Sequence, residues 1–357
     1  MNRPKLTRIL SILMMAIILS SCANANQEAE APSEITPLVV ETTPTEPVIL
    51  PISQYVAPLT GLRIESPSKM RPLAVMVNNA PAARPQSGLS KADMVYEVLA
   101  EGGITRLVAI FQSHNDAITI GPIRSIRPYL IELGELYHGL LVHAGGSTEA
   151  YSIIQKQKKD DLDEIGKSGA YFWRDKSRKA PHNLYSDTDK LREGANKLKY
   201  EQDVAIPTYP FRTENEIIAG EHAIKVDITF LLKNYIVSYD YDDSKQVYKR
   251  SINNKPHVDF TNNMQLEATN VIVMGADHKV LDDVGRLSVD VKLGGEALIF
   301  QQGKLIRGNW IHSKDDVIRF VKDDKEIPLV PGTTYINIVP NDPNFESHVT
   351  VSNEKQN

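Results

Sequence analysis

The sequence has few of the features that would cross-link the chain, carry it through a membrane or attach it to nucleic acid. It contains a single cysteine, Cys22, so no disulfide can form within the chain. Its formal charge of -5 gives no general positive surface, so nucleic acid is not expected as a partner and any anion site must be local. The apolar run near its N-terminus, residues 9–19, is too short to span a bilayer comfortably.

Recognisable catalytic and metal-binding motifs are missing as well. The sequence has no Gly-x-Ser-x-Gly elbow, no His-Glu-x-x-His helix and no cysteine pair, and its nine histidines are scattered. The acidic run of Asp160, Asp161 and Asp163 is typical of a solvated surface. We therefore expect no metal and no cofactor, and the motifs leave open whether the protein is an enzyme.

The N-terminus is similar to a bacterial lipoprotein signal peptide. Three basic residues precede the apolar run, which ends in Leu19-Ser20-Ser21-Cys22, a pattern of small residues before a lipidated cysteine. The alternative is an ordinary signal peptide with an incidental cysteine. We expect diacylglycerol and palmitate on Cys22, which would anchor the mature chain to the extracytoplasmic face of a Gram-positive cell membrane.

Composition divides the chain into four segments. Residues 1–21 are the predicted signal peptide, and residues 22–57 form a predicted disordered tether, because they are acidic, rich in Pro and unable to bury a core. Residues 58–205 mix short apolar runs with helical patterns, which predicts an α/β domain with a mixed sheet. Residues 206–357 predict a β-rich domain, so the expected fold class is α+β.

A short segment of the N-terminal domain, Gly121-Pro122-Ile123-Arg124-Ser125-Ile126-Arg127-Pro128, predicts a strand end, a rigid turn and a helix start. Pro128 suits the first turn of a helix, because its missing N–H would have no partner there. Arg124 and Arg127 on a stiff turn beside a helix N-terminus can clamp a phosphate or a carboxylate. The alternative is that both arginines form structural ion pairs.

A second candidate anion site follows the strand that ends at His143. The chain continues through Ala144-Gly145-Gly146-Ser147 into a helix predicted from about residue 148 to residue 156. Paired glycines and an N-cap serine between a strand and a helix can present backbone N–H groups to an anion. The alternative is a tight turn with a capped helix.

An aromatic and basic loop lies further along the chain. It contains Trp173, Arg174, Arg178, His182 and Asn183. Aromatic rings beside arginines are typical of loops where sugars or other flat ligands rest on a ring face. They are also typical of a hydrophobic plug under a long loop, so both interpretations stay open.

Several segments together resemble the YerB-like family of bacterial lipoproteins, which consist of two successive domains of unknown function. The segments that carry the resemblance are residues 72–84, 85–87, 101–106, 121–128, 143–147, 172–179 and 181–184, with Pro256-His257, Gly303-Lys304, residues 327–329 and residues 331–333 in the C-terminal part. The resemblance covers nearly all of the chain after the tether. It implies a two-domain architecture and an envelope location, but no activity and no catalytic residue.

Ligand sites of open α/β sheets lie where strands run into loops, so we expect the polar residues of these loops to form one cleft. The predicted ligand-binding residues are Asn78, Arg84, Arg106, Arg124, Ser125, Arg127, His143, Gly145, Gly146, Ser147, Trp173, Arg174, Arg178, His182 and Asn183. We expect an anionic cell-wall component or a wall-synthesis protein as the partner, with a role in cell-wall assembly. The alternative is a wall-modifying hydrolase or phosphotransferase, with His143, His182 and Glu101 as candidate acid–base residues.

Overall fold

The structure is a computed structural model that describes residues 55–214 and 216–353. The predicted signal peptide, Cys22 and most of the predicted tether lie outside the described residues. Within the described ranges there are three α-helices, α1 (Pro128–Glu135), α2 (Thr148–Gln157) and α3 (Thr188–Lys197). No helix in these ranges has both the length and the apolar composition needed to cross a membrane.

Strands dominate the described residues. The strands before residue 206 are β1 (Tyr55–Val56), β2 (Arg63–Ile64), β3 (Leu73–Asn78), β4 (Met94–Leu99), β5 (Thr105–Phe111), β6 (Thr119–Ile120), β7 (Leu140–His143), β8 (Asp161–Asp163), β9 (Trp173–Arg174) and β10 (Leu184–Asp187). Those after it are β11 (Glu221–His222), β12 (Lys225–Thr229), β13 (Ile236–Asp242), β14 (Val247–Ile252), β15 (Lys255–Pro256), β16 (Glu267–Ala268), β17 (Asn270–Ala276), β18 (His278–Val280), β19 (Leu287–Val289), β20 (Gly295–Gln301), β21 (Lys304–His312), β22 (Ile318–Lys322), β23 (Lys325–Glu326), β24 (Thr334–Pro340) and β25 (Val349–Ser352).

The main sheet has twelve strands and draws on both halves of the sequence. Its order is β23-β22-β21-β20-β17-β24-β4-β5-β3-β7-β8, and β11 pairs with β21. Strand β24, from the C-terminal half, pairs in parallel with β4 and with β17. The sheet is therefore continuous across the boundary predicted near residue 206.

Six strands of this sheet fall into two parallel-paired groups that run in the same direction. Strands β17, β24 and β4 are linked by parallel pairing, and so are β3, β7 and β8. Strand β5 is antiparallel to both β4 and β3, which makes the two groups parallel to each other. The carboxyl ends of all six strands consequently lie along one edge of the sheet, which we term the carboxyl edge.

A second, antiparallel sheet of six strands comes entirely from the C-terminal half, in the order β15-β14-β13-β12-β25 with β16 beside β14. Side chains of the two sheets share one hydrophobic cluster, in which Val95 of β4 and Tyr239 of β13 are both buried. The opposite face of the main sheet packs against α1 and α2, where Tyr96 and Leu130 are buried. Because both faces are covered, every residue of β4 is buried.

The described structure is strand-rich and contains mixed sheets, as the sequence predicted in outline. Helix α1 begins at Pro128, and α2 begins directly after Ser147, so both predicted helix starts are confirmed. The predicted division at residues 205 and 206 stays a prediction about domain organisation. What the sequence did not indicate is that β24 lies between β4 and β17.

Candidate functional site

The two predicted anion-binding segments lie side by side at the carboxyl edge. The backbone N–H of Ala144 donates to the carbonyl of Arg124 at 3.1 Å, and Ile126 donates to the carbonyl of Gly145 at 3.0 Å. Ser147 then donates to the carbonyl of Ile126 at 3.3 Å. These bonds fix the arginine turn, residues 121–128, against the glycine turn, residues 144–147, which follows β7.

A cleft of about 260 Å³ opens between the two turns. We term it the arginine cleft, and its lining residues are Ile123, Arg124, Ser125, Ala144, Gly145, Gly146, Glu164, Ile165, Arg174, Pro181 and Leu184. Five of them were predicted from the sequence as ligand-binding residues. Larger hollows of about 490, 660 and 1120 Å³ lie elsewhere on the described surface, and none of the predicted site residues lines them.

Arg124 lines this cleft without an ion-pair partner among the described residues. Within the described residues, no group hydrogen-bonds to its guanidinium, which is about half buried. Burial lowers the pKa of this guanidinium, and the positive charge of Arg127 lowers it further, while Glu101 opposes the shift. A half-buried, unpaired and positively charged fork is suited to an anion, especially a carboxylate or phosphate.

Arg127, in contrast, is already paired. Its Nε donates to the carboxylate of Glu101, and its guanidinium also donates to the carbonyl of Ile126 at 2.8 Å. Burial alone would raise the pKa of Glu101, but the hydrogen bond and charge of Arg127 lower it overall. The alternative of a structural ion pair therefore describes Arg127, whereas Arg124 forms no ion pair within the described residues.

Arg106 supports the arginine turn from within the fold. It is buried at the start of β5 and donates to the carbonyl of Ser125 at 2.7 Å. Its Nε has no hydrogen-bond partner in the described structure. Burial and the nearby charge of Arg127 lower the pKa of Arg106 to about 10. Arg106 thus adds a second, deeper positive charge behind Arg124.

The predicted residue His143 is engaged on both ring nitrogens. It is fully buried, with Nδ1 2.9 Å from the carbonyl of Gly145 and Nε2 3.2 Å from a carboxylate oxygen of Asp161. The ring therefore links β7, the glycine turn and β8. In this arrangement it has no free nitrogen that could serve as a general base for a ligand in the cleft.

Asp163 holds the glycine turn in its conformation. Its carboxylate accepts hydrogen bonds from the N–H of Gly145 at 2.8 Å and from the hydroxyl of Tyr151 at 2.7 Å. Gly145 has φ of +72°, a value that favours glycine. The expectation that Asp163 lies on a solvated surface was wrong, because the carboxylate is buried and replaces water with these donors.

Ser147 is the N-cap of α2, as its position predicted. Its hydroxyl oxygen accepts a hydrogen bond from the N–H of Ala150 at 3.2 Å. The N–H groups at this helix start and in the glycine turn are thus partly satisfied by the protein itself, through Ser147 and Asp163. Because these N–H groups are partly satisfied, the guanidinium of Arg124, which has no hydrogen-bond partner within the described residues, is better suited to attract an anion.

His182 lies near Arg124 in a defined tautomer. The side-chain oxygen of Asn78 accepts from the N–H of Ala80 at 3.1 Å, so the amide nitrogen of Asn78 faces Nδ1 of His182 at 2.9 Å. An amide nitrogen can only donate, so Nδ1 is unprotonated and Nε2 carries the proton. Burial, together with the charges of Arg124 and Arg178, lowers the pKa of His182. The neutral ring is therefore a hydrogen-bond donor beside the cleft.

Two further predicted arginines, Arg178 and Arg84, donate hydrogen bonds to backbone carbonyls of loops. Arg178 donates to the carbonyls of Ala83 and Pro85 at 2.8 and 2.6 Å, and its guanidinium lies 4.9 Å from the ring centre of Phe260. Arg84 donates to the carbonyl of Asn79 at 2.7 Å. Both guanidinium groups are occupied, and neither residue lines the arginine cleft.

Among the predicted residues Trp173, Arg174 and Asn183, only Arg174 lines the cleft. Arg174 pairs with Glu164 at 3.0 Å and donates to the side-chain oxygen of Asn183 at 3.2 Å. Trp173 stacks on Tyr185 with ring centres 6.4 Å apart. Glu164 and the exposed Ile165 were not predicted, because only the neighbouring position of β8 beside β7 brings them to the cleft.

A buried polar network that the sequence did not reveal lies between the two sheets. Arg250 of β14 pairs with Glu97 of β4 at 2.6 Å, and both side chains are fully buried. The other carboxylate oxygen of Glu97 accepts hydrogen bonds from Thr105, Tyr235 and Asn79 at 2.6, 2.6 and 3.0 Å. Nearly every hydrogen-bonding position of this carboxylate is therefore satisfied.

His257 extends this network. Arg250 donates from Nε to Nδ1 of His257 at 3.0 Å, so the proton of the ring is on Nε2, which donates to Gln86 at 2.7 Å. Burial and the charges of Arg250 and Arg84 hold the pKa of His257 well below its usual range. The network joins the N-terminal and C-terminal halves of the chain through groups that are neutral or paired.

Within the described residues, no group of three or more His, Cys, Asp or Glu side chains is arranged to hold a metal ion. Among the described residues, the site combines the guanidinium of Arg124, the ion pairs Arg127–Glu101 and Arg174–Glu164, two histidines and backbone groups.

Comparison with known proteins defines the class to which this fold and site belong. Residues 59–201 match the family described as "Protein of unknown function (DUF3048) N-terminal domain", and residues 226–336 match its C-terminal domain. YerB of Bacillus subtilis (strain 168), which is designated a lipoprotein, is 38% identical over 286 residues, or 80% of this chain and 86% of that protein.

A solved structure agrees with this comparison. The crystal structure of the YerB protein from Bacillus subtilis has a TM-score of 0.77 at 36% identity, and covers 84% of this chain and all of the solved chain. The chain belongs to the YerB-like family, whose two domains have no assigned function. The family resemblance noted in the sequence is confirmed.

Proposed function

We propose that this chain is a lipid-anchored extracytoplasmic protein that binds an anionic component of the cell envelope in the arginine cleft and assists cell-wall assembly. The anchor would be Cys22, which follows the lipobox-like residues Leu19-Ser20-Ser21. The designation of the Bacillus subtilis relative as a lipoprotein supports this part of the proposal.

The observation that carries the binding proposal is the unpaired guanidinium of Arg124 in the cleft. Neighbouring Arg127 is neutralised by Glu101, whereas Arg124 has no acidic hydrogen-bond partner within the described ranges. Arg106 and the N–H of His182 reinforce the positive character of the same region. In a chain with a net charge of -5, a local anion is the ligand that this geometry favours.

Binding is favoured over catalysis because the candidate acid–base groups are committed elsewhere. His143 is bonded on both nitrogens, and Glu101 is held by Arg127. The only unprotonated ring nitrogen of His182 faces Asn78. A hydrolase or phosphotransferase would need one of these groups to be free beside the reacting atom.

The test is native mass spectrometry of the chain from residue 52 onward after incubation with an extract of the host envelope. We expect an adduct on the wild-type protein that Arg124→Gln loses, because the amide cannot replace the charge or the planar fork of the guanidinium.

Arg307→Gln is the matched control, since it removes the same charge from a guanidinium on β21 that pairs with Glu221 and Glu346. An adduct that survives in Arg124→Gln, or that disappears equally in Arg307→Gln, would rule out the arginine cleft as its site. Consumption of an envelope component without an adduct would favour the enzymatic alternative.

A further inference from the structure

The carboxyl edge carries an apolar surface beside the arginine cleft. Strands β18 and β19 form a hairpin that follows β17, and its residues Val280, Leu281 and Val284 are 63%, 53% and 74% exposed. Leu231 and Leu232, in the connection between β12 and β13, are 61% and 39% exposed. We term these five side chains the apolar surface.

The two loops of the apolar surface meet at the turn between β4 and β5. A methyl group built on Gly285 of the hairpin would lie 3.9 Å from the backbone nitrogen of Gly102. A methyl group built on Gly103 would lie 2.8 Å from Leu232. The hairpin and the loop that carries Leu231 and Leu232 therefore both lie close to the turn between β4 and β5.

The same turn connects the apolar surface to the arginine cleft. Glu101 begins the turn and pairs with Arg127, which is three residues from Arg124. On the other side, Arg286 of the hairpin lies 3.6 Å from Glu149 in the first turn of α2, the helix that follows the glycine turn. The hairpin thus lies between the turn after β4 and the helix that follows the glycine turn.

The conformation of the hairpin tip does not depend on burying its apolar residues. Leu281 and Arg286 are joined by a backbone hydrogen bond of 2.8 Å, and the carboxylate of Asp282 accepts from the N–H of Val284 and of Arg286 at 3.1 Å each. A preformed tip that keeps aliphatic side chains in water is typical of a surface that meets an apolar ligand.

From this juxtaposition we propose that the ligand of the arginine cleft is an amphiphile, whose anionic head pairs with Arg124 and whose hydrocarbon chain lies on the apolar surface. The inference rests on the proposed function, since it specifies the ligand class of the same site. The apolar surface contains only Leu and Val, whereas protein interfaces concentrate Trp, Tyr and Arg at their centres. Aliphatic side chains on the same edge of the sheet as a cation complement a hydrocarbon chain attached to an anion.

The experiment compares two phosphates with the same head group, methyl phosphate and dodecyl phosphate below its micelle concentration, by isothermal titration calorimetry. We expect wild-type protein to bind dodecyl phosphate at least about tenfold more tightly, because each buried methylene adds affinity. Leu281→Ser/Val284→Ser should reduce this ratio to about one and leave the affinity for methyl phosphate unchanged. Arg124→Gln should weaken both ligands.

Ile217→Ser is the matched control, since Ile217 is 94% exposed and lines a groove with Gln302, which follows β20 at the opposite edge of the main sheet. Equal affinities for the two phosphates in the wild type would overturn the inference and leave the apolar surface to a protein partner. The inference would also be overturned if Leu281→Ser/Val284→Ser kept the wild-type ratio of the two affinities. The same holds if Ile217→Ser lowered that ratio as much as the double variant does.

The two proposals can fail separately. If neither phosphate binds while the envelope adduct remains dependent on Arg124, the anion site stands and the amphiphile inference is wrong. If the adduct is also independent of Arg124, both proposals fail. Thermal unfolding of each variant shows whether a lost signal reflects lost binding or a lost fold.

Discussion

Arg124 and Arg127 show how much the role of a residue depends on its partners in space. Both arginines occupy the same turn, and the sequence offers no basis for separating them. In the structure Glu101, from the turn between β4 and β5, pairs with Arg127, whereas Arg124 has no ion-pair partner in the part of the chain that the structure describes. The carboxylate that makes this difference is 26 residues away from Arg127 along the chain.

Glu97 and Arg250 are the residues whose pairing is expected to matter most for stability. Replacing Arg250 with Met leaves the carboxylate of Glu97 buried without its counter-charge, which should cost about 3–5 kcal/mol of unfolding free energy. The double variant Glu97→Gln/Arg250→Met should be more stable than Arg250→Met alone, because the uncompensated charge is gone. Urea denaturation of the wild type, of Arg250→Met and Glu97→Gln alone, and of the double variant measures these differences.

Arg307→Met is the matched control for this prediction, because its ion pair with Glu221, at 3.0 Å, is exposed. Exposed pairs contribute little, so this variant should unfold close to the wild type. A double variant as unstable as the sum of the two single variants would show that the hydrogen bonds of Glu97, rather than its charge, govern the stability of the network.

At the scale of single elements, α2 and α3 provide a matched pair of N-caps. The hydroxyl of Ser147 accepts from Ala150 at the start of α2, and the carboxylate of Asp187 accepts from Lys190 at the start of α3. Ser147→Ala and Asp187→Ala should each lower the unfolding free energy by about 1 kcal/mol, as loss of a cap usually does. Thermal or urea unfolding checks both values.

The same two variants also test whether Ser147 only caps α2 or also contacts the ligand. Because its hydroxyl is used by the helix, Ser147→Ala should bind the envelope ligand as well as Asp187→Ala, which lies outside the cleft lining. A severalfold loss of affinity in Ser147→Ala alone would instead show that Ser147 contacts the ligand, as its position in the sequence suggested.

The carboxyl edge is the element-scale feature that gathers the site. Each of β3, β7 and β8 ends at this edge, so the loops that follow them supply Asn78, the glycine turn and Glu164 to one region. The sequence expectation that polar loops after strands would come together is consistent with this arrangement. The order of the strands determines which loops are adjacent at this edge. That order depends on pairing between residues that are far apart in the chain.

At the scale of the whole molecule, the halves of the chain share one sheet and one buried network. A fragment of residues 58–205 would expose the edge of β4 that β24 covers and would leave Glu97 without Arg250. We expect this fragment to lack a cooperative unfolding transition, whereas the chain from residue 52 onward should unfold in one transition.

Urea denaturation followed by both fluorescence and circular dichroism tests this expectation, since coincident curves indicate a single cooperative unit. A fragment that unfolds cooperatively, with a denaturant dependence appropriate to about 150 residues, would contradict it. That result would support the sequence-based division at residues 205 and 206 as a boundary between independently folding domains.

The sequence by itself determined the local elements and the residue types at the site. Pro128 and Ser147 set the starts of α1 and α2, and the apolar runs at residues 73–77 and 105–111 became buried strands. These features follow from backbone restrictions, capping and hydrophobic pattern, which act over a few residues. The family resemblance could be recognised from the same short segments.

Tertiary structure alone decided which of these residues are available to a ligand. His143 is occupied because β8 brings Asp161 beside β7, and Arg127 is occupied because the turn after β4 brings Glu101 to it. Such pairings depend on strand order and on packing between sheets, because these bring together residues that are far apart along the chain. Local pattern therefore indicated the residue types of the cleft, and long-range contacts determined that Arg124 is its unpaired cation among residues 55–214 and 216–353.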